Sequence, residues 1–64
     1  MKVVYRVTAT IPTNNRVVVG GFLNQNLSFE SAKNLAISVG KDPLYKDFTD
    51  VQIEYREVTP WKVL

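Results

Sequence analysis

Apolar and polar residues alternate from Lys2 to Ile11. Val3, Tyr5, Val7, Ala9 and Ile11 fall on one side, and Lys2, Val4, Arg6, Thr8 and Thr10 on the other. A repeat of two, rich in β-branched residues, predicts a half-buried strand over about residues 2–11. Pro12-Thr13-Asn14-Asn15 then reads as a turn, because proline presets its own φ and asparagine tolerates the left-handed region. The run Arg16-Val17-Val18-Val19-Gly20-Gly21-Phe22 predicts a second strand, about 16–22, closing a hairpin. Its glycine pair has no side chain to pack, which predicts a bulge or a close backbone approach near the strand end.

After the polar loop Asn24-Gln25-Asn26 the period changes. Phe29, Ala32, Leu35, Ala36 and Val39 form one stripe at helical spacing, with Ser31, Asn34 and Ser38 facing away. Ser28 is the expected N-cap and Glu30 suits the positive end of the helix dipole. Leu27 and Ala32 are placed for a hydrophobic staple. Gly40 is expected just past the helix end, with Lys41 complementing the dipole and Pro43 preventing continuation, so the helix is expected over about 29–39. Leu44 and Phe48 of the following connector are expected to cap the core. Alternation resumes over about 50–58, with Val51, Ile53 and Tyr55 on one side and Gln52, Glu54, Arg56 and Val58 on the other. Thr59-Pro60 ends that strand, and Trp61-Lys62-Val63-Leu64 is a short apolar tail.

The order ββαβ predicts a single α+β domain over 1–64: a three-stranded antiparallel sheet, order 2-1-3, with one helix packed on one face. The helix stripe should meet Val3, Tyr5, Val7, Val17, Val19, Val51, Ile53 and Tyr55. The other sheet face, with Lys2, Val4, Arg6, Thr8, Val18, Gln52, Glu54 and Arg56, should stay open.

Composition narrows the chemistry. A 64-residue chain buries only about 60% of its unfolded surface, so packing is thin. The chain has no cysteine and no histidine, which removes the usual zinc and haem ligand sets and the commonest acid–base and thiol catalysts. No cofactor and no metal site are expected; Asp42, Asp47 and Asp50 lack the spacing of a calcium loop and read as a solvated acidic connector. Ser28, Ser31 and Ser38 sit at a cap or on the solvated helix face, and Gly20-Gly21 is no phosphate loop. These features predict a protein that is not an enzyme. The lack of cysteine fits a reducing, cytoplasmic setting. Charges break the apolar run of Met1-Lys2-Val3-Val4-Tyr5-Arg6, so no signal peptide is expected, and no membrane-spanning segment either.

Net charge is only +2, yet residues 1–29 carry Lys2, Arg6 and Arg16 and no acid, whereas residues 30–64 carry five bases and six acids. A basic hairpin could serve a weak nucleic-acid binder, but Tyr5 and Tyr55 belong to the expected core face rather than to a base-stacking platform. Binding to another protein is the leading expectation. Val4, Val18 and Val58 would run an apolar streak across the open face, and a homodimer through that face would bury it. Arg6 and Arg56 are candidates to fix register on partner carboxylates, Trp61 is the candidate apolar anchor, and Arg16 and Phe22 stand at the hairpin end. A structural linker or virion component is the further alternative.

Two family resemblances bear on this. With its ββαβ order, Ser31-Ala32…Leu35-Ala36 in the helix and Val51-Gln52-Ile53 after it, the chain resembles small accessory proteins encoded by bacteriophages, including inhibitors of bacterial RNA polymerase. That resemblance implies a modulator or inhibitor that occludes a host protein in the host cytoplasm, and it carries no inhibitory residue over. Tyr5-Arg6-Val7-Thr8-Ala9, Ile11-Pro12 and Arg16-Val17 are similar to the first strand and turn of CpcD-like phycobilisome linkers, over about a quarter of the chain. The glycine pair that family places before its last strand is replaced here by Phe48-Thr49-Asp50.

Overall fold

The computed structural model describes residues 3–57 and 62–64. Strands β1 (Val4–Thr10) and β2 (Arg16–Val18) form the expected hairpin, helix α1 spans Phe29–Lys41, and β3 (Thr49–Arg56) returns along β1. The protein is α+β, but its antiparallel sheet has four strands rather than three, in the order β2-β1-β3-β4. The added strand, β4 (Lys62–Val63), comes from the tail. It pairs Val63 with Glu54 and Lys62 with Tyr55, and the Leu64 amide donates to the Ile53 carbonyl at 2.8 Å. Sequence pattern could not show this, because two residues carry no alternation. The tail satisfies backbone groups on an edge of β3 that the expected order left bare.

Local chemistry explains the joints. Asn14 takes φ +67° in the hairpin turn, a value asparagine tolerates. Gly20 and Gly21 take φ +85° and +86°, so β2 ends at Val18 rather than running on to Phe22. Ser28 caps α1 by accepting from the Ser31 amide at 3.2 Å. The helix overruns its expected end: Gly40 lies inside the last turn, and Asp42 is the C-cap. Pro43 sets the stop, since a residue before proline is pushed out of the helical region, and Asp42 sits at φ −81°, ψ 125°. A 3-10 turn over Pro43–Tyr45 follows, capped by the Asp42 carboxylate on the Leu44 amide at 2.9 Å.

The core lies between α1 and one sheet face. Val7, Ala9, Val19, Ala32 and Val39 are buried, with Tyr5, Leu27, Leu35, Ala36, Tyr45, Phe48 and Ile53 packed around them. Several expected members differ, and Val3, Val17 and Tyr55 are half-buried outside this cluster. Leu44 is exposed and Tyr45 takes its place, ring to ring with Phe48 at 5.2 Å. Val51 is also exposed, because β3 bulges beside it. Thr8 pairs with Gln52 but Thr10 pairs with Thr49, so β3 spends three steps against two on β1, and Asp50 adopts φ +50°. Phe29 stays at the rim, edge-on to Tyr5 at 5.3 Å.

No side chain larger than valine is fully buried among the described residues. Val7→Ala should therefore cost about 2 kcal/mol, a large share of the stability of so small a domain, read as a lowered urea midpoint. Gly20→Ala should cost about 1 kcal/mol or more, because alanine resists the positive φ and its Cβ would meet the Asn24 side-chain amide.

Candidate functional site

The sheet face away from α1 carries Val4, Arg6, Thr8, Thr10, Arg16, Val18, Gln52, Glu54 and Arg56 by register. Antiparallel pairing sets Arg6 directly across from Glu54, and Thr8 beside Gln52 and Val18. The side chains then close over the face themselves. Arg6 donates to Glu54 Oε1 through Nε at 2.7 Å, and Nη2 forms an ion pair with the same oxygen at 2.7 Å. The two side chains are only 19% and 13% exposed, so the pair is weakly screened and stronger than a surface ion pair. The Thr8 hydroxyl donates to Glu54 Oε2 at 3.3 Å and accepts from Arg16 Nη2 at 2.7 Å. Arg16 Nη1 reaches Thr10 Oγ1 at 3.0 Å and Asp50 Oδ2 at 2.9 Å. Asp50 in turn accepts from Gln52 at 3.4 Å. One chain of polar contacts thus crosses the face from Arg6 to the bulge, and Thr8 is only 4% exposed.

This arrangement splits the expected apolar streak. Val18 stands opposite Thr8, and Val4 lies four residues further along β1, roughly 13 Å away at strand rise. Arg6 and Thr8 occupy the space between them. Val58, the third member, lies outside the described residues, as do Lys2 and Trp61.

Val63 (across from Glu54), Leu64 and Leu44 are exposed apolar residues, but the two most exposed large apolar side chains among the described residues lie together elsewhere. Val19 donates to the Val7 carbonyl at 2.8 Å, and Leu27 exchanges two backbone hydrogen bonds of 2.9 Å with Tyr5. The chain therefore takes eight steps between two β1 neighbours that are only two residues apart. The excess is thrown out as a compact knuckle, residues 20–26, with both ends clamped to β1. Its tip is a 3-10 turn, Phe22–Asn24, in which Phe22 and Leu23 are 82% and 91% exposed. Their exposure is not slackness. Gly21 donates to the Val18 carbonyl and Asn24 to the Gly21 carbonyl, each at 3.0 Å. Gln25 Nε2 donates to the Phe22 carbonyl at 3.2 Å, and Gln25 Oε1 accepts from Arg6 Nη1 at 3.0 Å. No charged residue lies between Arg16 and Glu30, so the knuckle is apolar at its tip and amide-lined at its base.

Of the residues singled out from sequence, Arg6 and Phe22 are joined through Gln25. Arg16 lies at the far end of the same polar face, and Arg56 is exposed opposite Val4. Leu23 and Gln25 were missed. The uncharged stretch between Arg16 and Glu30 was the available signal for Leu23, whereas Gln25 is picked out only by the three-dimensional path of the loop. Among the described residues no cluster of acidic side chains is arranged to hold a metal ion, and no helix is long and apolar enough to cross a membrane. No protein-family model, curated protein or solved structure matches this chain.

Thr8→Val keeps the shape of the side chain and removes two contacts to charged partners. It should cost about 1–2 kcal/mol in urea unfolding, with Thr8→Ser recovering most of the loss. At Asp50 the positive φ should make Gly better than Ala by about 1 kcal/mol, although both lose the contact to Arg16.

Proposed function

We propose that this chain is a small non-catalytic protein-binding module that occludes a surface of its partner, with the Phe22–Leu23 knuckle entering an apolar pocket there. The carrying observation is the exposure of two large apolar side chains on a loop whose backbone is held at both ends and inside. Burying each would be favourable by about 1.5–3 kcal/mol, and the ordering entropy of the loop is already spent on folding. Arg16, Arg56 and Trp61 are the accompanying candidates for contacts around the pocket, Trp61 from sequence alone. Arg6 and Arg16 already lie against Glu54 and Asp50, which weakens the positive field a nucleic acid would need and favours a protein partner. The resemblance to bacteriophage accessory proteins supports a bacterial cytoplasmic protein as that partner and an inhibitory role.

Affinity capture from bacterial lysate, with wild type and Phe22→Ala/Leu23→Ala side by side, tests this reading. Wild type should retain a stoichiometric protein. The double variant should bind it at least about 30-fold more weakly while melting no lower, since neither side chain supports the core. Equal retention by both would remove the knuckle from the interface; a wild type that retains no protein would remove the binding-module reading itself.

A further inference from the structure

We infer that Arg6 is the positioning residue of the knuckle: through Gln25 it ties the exposed Phe22–Leu23 tip to the shielded carboxylate of Glu54, so the polar face and the knuckle form one preset unit. The inference rests on the protein-binding reading for its purpose, but the locking itself is testable without a partner.

The links are consecutive. Glu54 is held on β3, across from Arg6, by the sheet register. Its Oε1 accepts a hydrogen bond from Arg6 Nε and pairs with Nη2 at 2.7 Å, which aligns the guanidinium and directs Nη1 outward to Gln25 Oε1. A planar guanidinium has donors enough to serve Glu54 and Gln25 together, whereas an ammonium on a flexible stem has no such fixed fork. With its oxygen engaged by Arg6, the Gln25 amide presents Nε2 to the Phe22 carbonyl. That carbonyl opens the 3-10 turn carrying Phe22 and Leu23, so fixing it fixes the direction of both side chains. Asn24 Nδ2, at 3.5 Å from the Val19 carbonyl, is a longer contact on the other side of the tip and leaves Gln25 as the principal side-chain brace. Arg6 thereby acts on a partner through Gln25 and the loop backbone.

The test uses the whole chain and three variants. Gln25→Met keeps length and removes both links. Gln25→Glu keeps an oxygen for Arg6 but loses the donor to Phe22. Arg6→Lys keeps a charge for Glu54 but cannot span both partners. Amide hydrogen exchange is read at Asn24 within the tip and at Leu27, whose amide bonds the Tyr5 carbonyl, as the scaffold control. Limited chymotrypsin cleavage after Phe22 and Leu23 is the second readout, and urea midpoints check global stability. Gln25→Met should speed Asn24 exchange and cleavage by at least about threefold with Leu27 unchanged, and Gln25→Glu should behave likewise. Arg6→Lys should match Gln25→Met at the tip, and the double variant should go no further than either alone. Unchanged exchange and cleavage in Gln25→Met, or effects of Arg6→Lys and Gln25→Met that simply add, would overturn the inference. If Arg6→Lys does not fold, the two Gln25 variants decide alone. A locked knuckle that captures no protein would defeat the functional reading and leave the relay standing; an unlocked one that still captures its partner would do the reverse.

Discussion

The structure turns on a strand buried on both sides, with a single α-helix among the described residues to cover it. Val7, Thr8 and Ala9 are consecutive and all buried, so their side chains alternate between the two sheet faces with neither reaching solvent. On the helix side, Val7 and Ala9 meet Val39 and Ala32. On the other side Thr8 is sealed by arginine and glutamate stems whose polar ends are bonded to one another and to the threonine hydroxyl. Long charged side chains can cover surface in this way when their heads are satisfied. Every buried side-chain nitrogen or oxygen among the described residues has a hydrogen-bond partner.

That solution fits the size of the chain. A core built from valine and alanine leaves little room for a second apolar layer, and the larger rings form a fence instead: Tyr5 against Phe29 and Tyr55, Tyr45 against Phe48. Interactions of this kind contribute through edge contacts rather than deep burial. The polar face satisfies the groups that lie over Thr8, and on the inference above the same residues set the knuckle. Stability and the proposed binding surface thus draw on shared side chains, with Glu54 and Arg6 in both.

Much of the architecture was legible in the pattern of residues. Alternation placed β1 and β3, Ser28 marked the start of α1, and Gly20-Gly21 marked a departure from the strand. The failures have physical causes. Gly40 resembles a helix terminus, but a glycine costs only about 1 kcal/mol inside a helix, and the stronger constraint of Pro43 acted three residues later. The pairing of Lys62 and Val63 depends on where the tail returns, not on its own composition. The bulge at Asp50 follows from matching β3 to β1, so Val51 kept its period and lost its burial. At the candidate site, Phe22 was singled out at the hairpin end but was placed in β2, which stops at Val18. The intramolecular contacts of Arg6 were not legible, because Glu54 and Gln25 are 48 and 19 positions away in the chain. The uncovered face was expected to carry Arg6, Thr8 and Glu54 beside a streak of valines; what pattern could not show is that cross-strand register bonds these polar groups to one another between Val4 and Val18.

The clamping of residues 20–26 has an evolutionary corollary. Val19 and Leu27 close the excursion on β1 through backbone groups, and the Asn24 and Gln25 side chains tie back to Val19 and Arg6, so only the identities of the exposed tip residues Phe22 and Leu23 stand apart from the sheet. On the proposed protein-binding reading, sequence drift at the tip could change the partner without refolding the protein, much as an interchangeable tool head leaves its handle untouched. The same decoupling makes this stretch a natural point for grafting foreign recognition sequences, provided the glycine pair and Gln25 are kept.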